Sequence, residues 1–349
     1  MSQPGWNQPQ WQRQNASFGQ QPSWPAPQRP GAMQWPQQTG NQPWGPPAPA
    51  RSNKSLRNVL VGLICVCIVA IAGLAFVNAL GSGPAKYQND TYSAPPPDLK
   101  PPPLPEPSQA EAESATNANL FYQQTVPQPI RCPLPRIQDA ANASDPDLQT
   151  HLDDLTACLM KVWNTPITRA GYQLVRPSVT IYDKKIDTAC GSIDNINAFY
   201  CAADQQVYYS RQLFRLLPDV DSKSSLVIDF VLGHEFGHAL QGRTGILVGR
   251  IIRQHAAGSK AEQLEINRRL EMQADCFSGM FMRAIAQSSK LDQNDVTTIK
   301  QSLIAVGDPA GKVGDHGQSP DRLFWGLTGF ATPDVGKCNT FIAPVTQVR

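Results

Sequence analysis

Five histidines occur in the 349-residue chain, and two of them stand four apart in His234-Glu235-Phe236-Gly237-His238. On a helix this spacing puts both imidazoles on one face. Two imidazoles so placed can hold one zinc ion, and a glutamate beside them can take a proton from a zinc-bound water. The bland alternative is a buried helix with two satisfied histidines, because the run Ser225 to Gly233 leading into the motif is mostly apolar.

Catalytic zinc generally has three protein ligands and one open position. A metzincin needs a glycine three residues after the second histidine and another histidine three further on. Those positions hold Gln241 and Thr244, which excludes that class. His255 stands in the basic segment Arg250 to His255 without supporting residues. Glu271 is the better third ligand. Asp275 follows it by four, so on one helix the pair faces one site, and the aspartate can accept the free ring N–H of a ligating histidine. Glu262 and Glu265 lack such a partner, since Ile266 and Arg269 stand four residues on. The opposing reading of Glu271 and Asp275 is a solvated helix face.

The elements that carry these residues lie in the C-terminal part, about 126–349, which is long enough to bury a sizeable core. An amphipathic helix is expected over Asp147 to Trp163, with Leu148, Leu152, Leu155, Leu159 and Val162 on one stripe and His151 off it, at the surface. Tyr172 to Tyr182 has strand composition broken at Pro177, and Gln206 to Ser210 reads as another short strand. Helices are expected over Ser224 to Gly242, Lys260 to Gln287 and Asn294 to Ala305. Few strands followed by packed helices predict an α+β domain, mainly helical with a small sheet. Six cysteines fall here: Cys132, Cys158, Cys190, Cys201, Cys276 and Cys338. All are disulfide candidates, with up to three bridges. Cys190 and Cys201 bracket a short loop and are the first expected pair; Cys276 with Cys338 is a further one. No Cys-x-x-Cys occurs among these six, which excludes a zinc ribbon.

The N-terminal part is of another kind. Residues 1–57 are rich in Gln, Pro and Gly with interspersed Trp, which predicts a disordered cytoplasmic tail and a docking point for a cytoplasmic partner. Val59 to Leu80 is an apolar run with Asn78 its one clearly polar side chain. As a helix it reaches about 33 Å, enough to cross a bilayer core of ~30 Å. Residues 58–81 are therefore read as a single transmembrane helix that meets the lipid bilayer through residues 59–80. Arg51, Lys54 and Arg57 precede the run and only Lys86 follows closely, so the positive-inside rule puts the N-terminus in the cytoplasm and the C-terminal body outside. The Pro-rich stretch within 82–125 reads as an extended extracytoplasmic stalk. Beyond residue 60 the chain carries 25 basic against 28 acidic residues, which argues against a nucleic-acid surface.

The HEFGH motif together with Leu270-Glu271-Met272-Gln273-Ala274-Asp275-Cys276 resembles the bacterial neutral zinc metallopeptidase family, within the wider gluzincin group. The likeness extends through Ala189-Cys190-Gly191, Phe199-Tyr200-Cys201, Asp204 to Tyr208 and Asp315-His316-Gly317, so it covers about 188–341 and not the tail, apolar run or stalk. Gly233 stands where relatives often have Ala. The resemblance implies a zincin-like fold and peptidase activity on a protein or peptide substrate. It also implies one catalytic Zn2+ held by His234, His238 and Glu271, with Glu235 as base. An oxyanion donor is further required; His316 is the candidate, with Tyr208 or Tyr209 behind it. Two other functions stay open at this point: a zinc-stabilised envelope scaffold and an amidase acting on cell-wall peptides.

Overall fold

The computed structural model describes residues 86–132, 134–217, 220–308 and 314–349. The tail, the Val59–Leu80 run and residues 82–85 of the expected stalk lie outside the described residues. Among those described, no helix is long and apolar enough to cross a membrane.

Seven helices are described: α1 (Ala112–Asn117), α2 (Asp145–Arg169), α3 (Leu226–Arg243), α4 (Ile246–Ala256), α5 (Lys260–Ile285), α6 (Gln293–Ala305) and α7 (Ser319–Ala331). Between α2 and α3 lie five short strands: β1 (Val179–Tyr182), β2 (Ile186–Thr188), β3 (Gly191–Ile193), β4 (Ala198–Cys201) and β5 (Gln206–Ser210). The small sheet has the order β1-β5-β4, with β1 parallel and β4 antiparallel to β5, and β2 and β3 form a separate hairpin. This is the α+β arrangement expected, with the helices carrying most of the core. Strand pairing begins only at Val179, so most of the expected Tyr172–Tyr182 strand region is unpaired.

The centre of the body is α3. All of its residues except Val231 and His238 are buried, so it is covered on nearly every side. A helix buried all round shows no apolar stripe. Its main partner is α5, and the two backbones come close because Gly233 and Gly237 face small residues. A Cβ at Gly237 would sit 3.0 Å from Ala274 Cα, and one at Gly233 would crowd Ser278. Ser278 Oγ also donates to Phe230 O at 2.7 Å across the same contact. Helix α7 approaches the other side of α5 equally closely, where a Cβ at Gly329 would meet the Cys276 carbonyl and one at Gly279 that of Gly326.

Helix α2 is longer than its apolar stripe suggests. Ser144 caps it by accepting from Asp147 N–H, and it runs through Pro166 because Pro166 and Ile167 are buried against the core. His151 corrects the surface expectation: it is 4% exposed, with Nε2 2.7 Å from Asp229 Oδ1 on α3 and Nδ1 3.2 Å from Pro135 O. Burial disfavours its charged form, yet the hydrogen bond and the charge of Asp229, with the Pro135 carbonyl, together outweigh this and raise its pKa.

The Pro-rich stretch also departs from expectation. Instead of standing off as a spacer, residues 95–103 are hydrogen-bonded to the body. Proline has no N–H but keeps its carbonyl, and those carbonyls accept: Arg176 Nη1 donates to Pro95 O, Gln205 Nε2 to Pro102 O, and Arg243 Nη1 to both Pro102 O and Pro103 O. Downstream, α1 packs on α4, with Ala115 and the Ala112 carbonyl against Gly249. Three disulfides complete the framework: Cys132–Cys158, Cys190–Cys201 and Cys276–Cys338.

Gly329→Ala is expected to lower stability by about 3 kcal/mol or more, because its methyl must displace backbone; thermal unfolding that matches wild type would contradict the tight α5–α7 contact. For His151 the raised folded pKa means that the pair stabilises fully below about pH 6.5 and loses this as pH rises through the folded value. The stability gap between wild type and Asp229→Asn should therefore shrink with rising pH, and a gap constant from about pH 6 to 9 would refute the assignment.

Candidate metal centre

Helix α3 presents His234 and His238 one turn apart, and α5 sets Glu271 opposite them. His234 Nε2 lies 3.2 Å from His238 Nε2 and 3.4 Å from Glu271 Oε2, and His238 Nε2 lies 3.7 Å from the same oxygen. These three atoms form one of two groups among the described residues in which all ligand atoms fall within 4.8 Å of one another. Tetrahedral bonds of ~2.0–2.1 Å place neighbouring donors about 3.3 Å apart, so the triangle has the dimensions a zinc ion requires.

The hydrogen bonds behind the rings decide what the ring edges offer. His234 Nδ1 is 2.8 Å from Asp275 Oδ1, and a carboxylate can only accept there. His238 Nδ1 is 2.8 Å from Gln241 Oε1. The Gln241 amide orientation is set in turn, since its Nε2 donates to Leu270 O and to Gln273 Oε1. Both Nδ1 atoms thus carry hydrogen, and in neutral imidazoles both Nε2 atoms turn lone pairs toward each other and toward Glu271. Two lone pairs and a carboxylate converging in a buried site call for a positive charge between them, which a proton on His234 supplies without metal and a metal ion would supply when bound.

Two residues that local spacing did not reveal hold this arrangement. Arg322 on α7 donates from Nε and Nη2 to both oxygens of Asp275 at 2.8 Å. Asp275 is fully buried, so this bidentate pair keeps it ionised and fixed under His234. Gln241 does the same for His238, and its relay continues through Gln273 Nε2 to Tyr122 OH and from there to Thr116 O. A helix start at Ser319-Pro320 was a visible signal for α7. Nothing local pointed to Arg322 as the clamp.

Glu235 is also buried, and its Oε2 accepts from the Tyr200 N–H of β4 at 2.9 Å. Burial raises its pKa, partly offset by His234 and His238. At His234 burial opposes the imidazolium, but hydrogen bonds to Asp275 and Glu271 outweigh it and push the pKa up to about 10. Burial works against the Glu271 carboxylate too, yet the two imidazoles hold it well below the usual range. Asp275 is likewise lowered, with Arg322 and then His234 outweighing its burial.

The site opens on a cleft of ≈ 560 Å³. Its described ionisable walls bring four carboxylates (Glu235, Glu271, Asp275 and Asp308) against two guanidiniums, Arg250 and Arg322. Metal binding requires His234 and His238 in their neutral form, and a divalent cation would then offset that surplus. Leu213, Leu216, Leu217, Phe230 and Val231 form an apolar wall. Among the other expected residues, His316 lines the cleft and bonds Asp315 Oδ1 through Nδ1 at 2.8 Å. Tyr208 and Tyr209 do not line it: the Tyr208 hydroxyl donates to Asp204 Oδ2, and the Tyr209 ring is buried in the core. That corrects both as oxyanion donors. His255 is exposed at the end of α4.

Arg322→Gln and Gln241→Leu should each weaken zinc binding by about 10–100-fold while the fold persists, as expected for groups that orient metal-ligating histidines. Competitive zinc titration with a chromophoric chelator checks this; unchanged affinity in both variants would remove the supporting network from the account.

The family model described as "Putative neutral zinc metallopeptidase" matches residues 122–341. Curated relatives include the Uncharacterized protein YpfJ of Escherichia coli (strain K12), 29% identical over 192 residues, 51% of this chain and 66% of that protein. The Uncharacterized protein Rv2575 of Mycobacterium tuberculosis (strain ATCC 25618 / H37Rv) is 28% identical over 193 residues, 48% of this chain and 63% of that protein. The chain thus spans about two thirds of the length of the curated relatives it matches. No solved structure matches it. With the family match covering more than half of its residues, and the site built on the motif that motivated the resemblance, the chain belongs to the neutral zinc metallopeptidase family.

Proposed function

We propose that this protein is a membrane-anchored zinc peptidase of the gluzincin type, its body outside the membrane, in which Glu235 activates the attacking water. The observation that carries the reading is the placement of a buried, ionisable glutamate beside a three-donor site with an open cleft. A structural zinc site is closed and has no use for such a base. His234, His238 and Glu271 hold the ion. When bound, zinc supplies a Lewis acid and lowers the pKa of a water to ≈ 7.

The protein's own groups do the rest. Glu235, its Oε2 steadied by Tyr200 N–H, takes the proton of the attacking water and delivers it to the leaving amine, a transfer favoured by the pKa that burial raises. Strand β4 is the edge of its sheet, paired on one side only. Tyr200 N–H points away from β5, and by strand alternation the main-chain groups of Ala198 point the same way. With the Tyr200 N–H engaged by Glu235, the Ala198 groups suit an extended peptide added along the edge. The apolar wall suits a hydrophobic side chain. His316 is the proposed oxyanion donor: with Nδ1 bonded to Asp315, its Nε2 carries a proton toward the cleft when the ring is charged, and the Asp315 bond raises its pKa.

Support for the location comes from two directions. The Val59–Leu80 run with its basic N-terminal flank supports that orientation, and three disulfides in one body are in keeping with an oxidising compartment. The proposed substrates are therefore proteins or peptides outside the cell membrane.

Glu235→Gln should retain one zinc per chain and lose hydrolysis of a mixed peptide library by a factor of about 10²–10⁴, and chelator should abolish wild-type hydrolysis. A Glu235→Gln protein that cleaves at the wild-type rate sinks the mechanism. In His316→Ala, kcat should fall, and the wild-type advantage should itself fade as pH rises through the raised His316 pKa; unchanged kcat at every pH removes this residue from the reaction.

A further inference from the structure

The chain leaves α3 through Gly245, whose φ of +77° is the left-handed conformation that glycine adopts without strain, and α4 folds back beside the site. One face of α4 is packed by α1 at Gly249. Leu247 and Arg250, three residues apart and so on one face, line the cleft that holds the metal ligands.

Arg250 is a cation with too few partners. Its Nη1 donates to Gln254 Oε1 at 2.7 Å, and Gln254 is itself tied through Nε2 to Gln263 O at 3.1 Å, so the side chain is held in place by a neutral group. Its Nε is buried and has no hydrogen-bond partner. Among the described residues no carboxylate lies within ion-pair distance of it. Glu271 is the acid that acts on it electrostatically, but that carboxylate is engaged by His234 and His238. The other cleft guanidinium, Arg322, differs in each respect, being fully paired with Asp275. A shielded guanidinium without a counter-ion is costly, and its planar fork matches a carboxylate.

We propose that Arg250 is the carboxylate receptor of the cleft, and that the substrate presents a carboxylate to it. The proposal rests on the peptidase reading for the nature of the substrate, a peptide, and adds that the peptide carries its negative charge within reach of the scissile bond. The carboxylate comes either from the peptide C-terminus, which makes the enzyme a trimmer of free ends, or from an acidic side chain, which makes it selective for acidic sequences.

The test is retention, which needs no turnover. Full-length, zinc-loaded Glu235→Gln protein is equilibrated with a mixed library of neutral hexapeptides in three forms: free C-terminal acid, C-terminal amide, and amide with one internal Glu. Bound peptide is separated by ultrafiltration and counted by mass spectrometry. Retention of one carboxylate-bearing form should exceed that of the neutral amide by about tenfold or more, and adding Arg250→Gln should erase the difference. Arg250→Lys, which keeps the charge and loses the fork, should show an intermediate preference and decides the matter if Arg250→Gln does not fold. Zinc content is measured for each variant. Preference for the free acid identifies the terminal source, and preference for internal Glu the side-chain source. Equal retention of all three forms, no retention at all, or a preference that survives in both Arg250 variants overturns the proposal. So does an Arg250→Gln protein that changes only in zinc content, since Arg250 then serves Glu271 and not the substrate. If the carboxylate preference holds while wild type hydrolyses nothing, the receptor stands and the peptidase reading falls.

Discussion

Everything at this site depends on how closely α3 and α5 approach. Glu271 reaches the edge shared by His234 and His238 only because Gly237 lies against Ala274 and Gly233 against Ser278. Larger residues at those four positions would move Glu271 away, and a few tenths of an ångström decide whether three donors can share one ion. The helix that carries the motif is buried on every side but the one facing the cleft. Its burial makes the metal site rigid, and its two exceptions, Val231 and His238, both line the cleft.

Around that contact a second set of interactions holds charge in place. Asp275 has no exposure and would be expensive as a bare carboxylate, yet Arg322 from α7 and His234 from α3 satisfy both of its oxygens. Next to it, Cys276, the residue after Asp275, bridges α5 to Cys338 in the segment that follows α7. The His238 side is held by neutral amides, through Gln241 and Gln273 to Tyr122. One imidazole is therefore backed by a charged clamp and the other by a neutral relay, which makes His234 the more electron-rich ligand.

Much of this was legible because it is written at helical spacing. His234 and His238 are four apart, as are Glu271 and Asp275, and the structure brings both pairs to one point. Gln241 was read only as the residue that excludes a metzincin, although it orients His238. Arg322 stands 47 residues beyond Asp275 and has no periodic relation to it. His151 was misplaced because it lies off the apolar stripe, whereas its Asp229 partner lies on a helix 78 residues away. The proline segment was read as an extended stalk because dense proline favours polyproline II; its carbonyls nonetheless accept from Arg243 and Gln205. Gln241 apart, the missing knowledge was a polar partner distant in sequence.

The central claim is that His234, His238 and Glu271 together hold one zinc ion with a position open. X-ray absorption at the zinc edge of the loaded full-length protein addresses it most directly. The account predicts two imidazole nitrogens and two oxygens, one from Glu271 and one from solvent, at about 2.0–2.2 Å. A shell containing sulfur at about 2.3 Å, or only one imidazole, would contradict it.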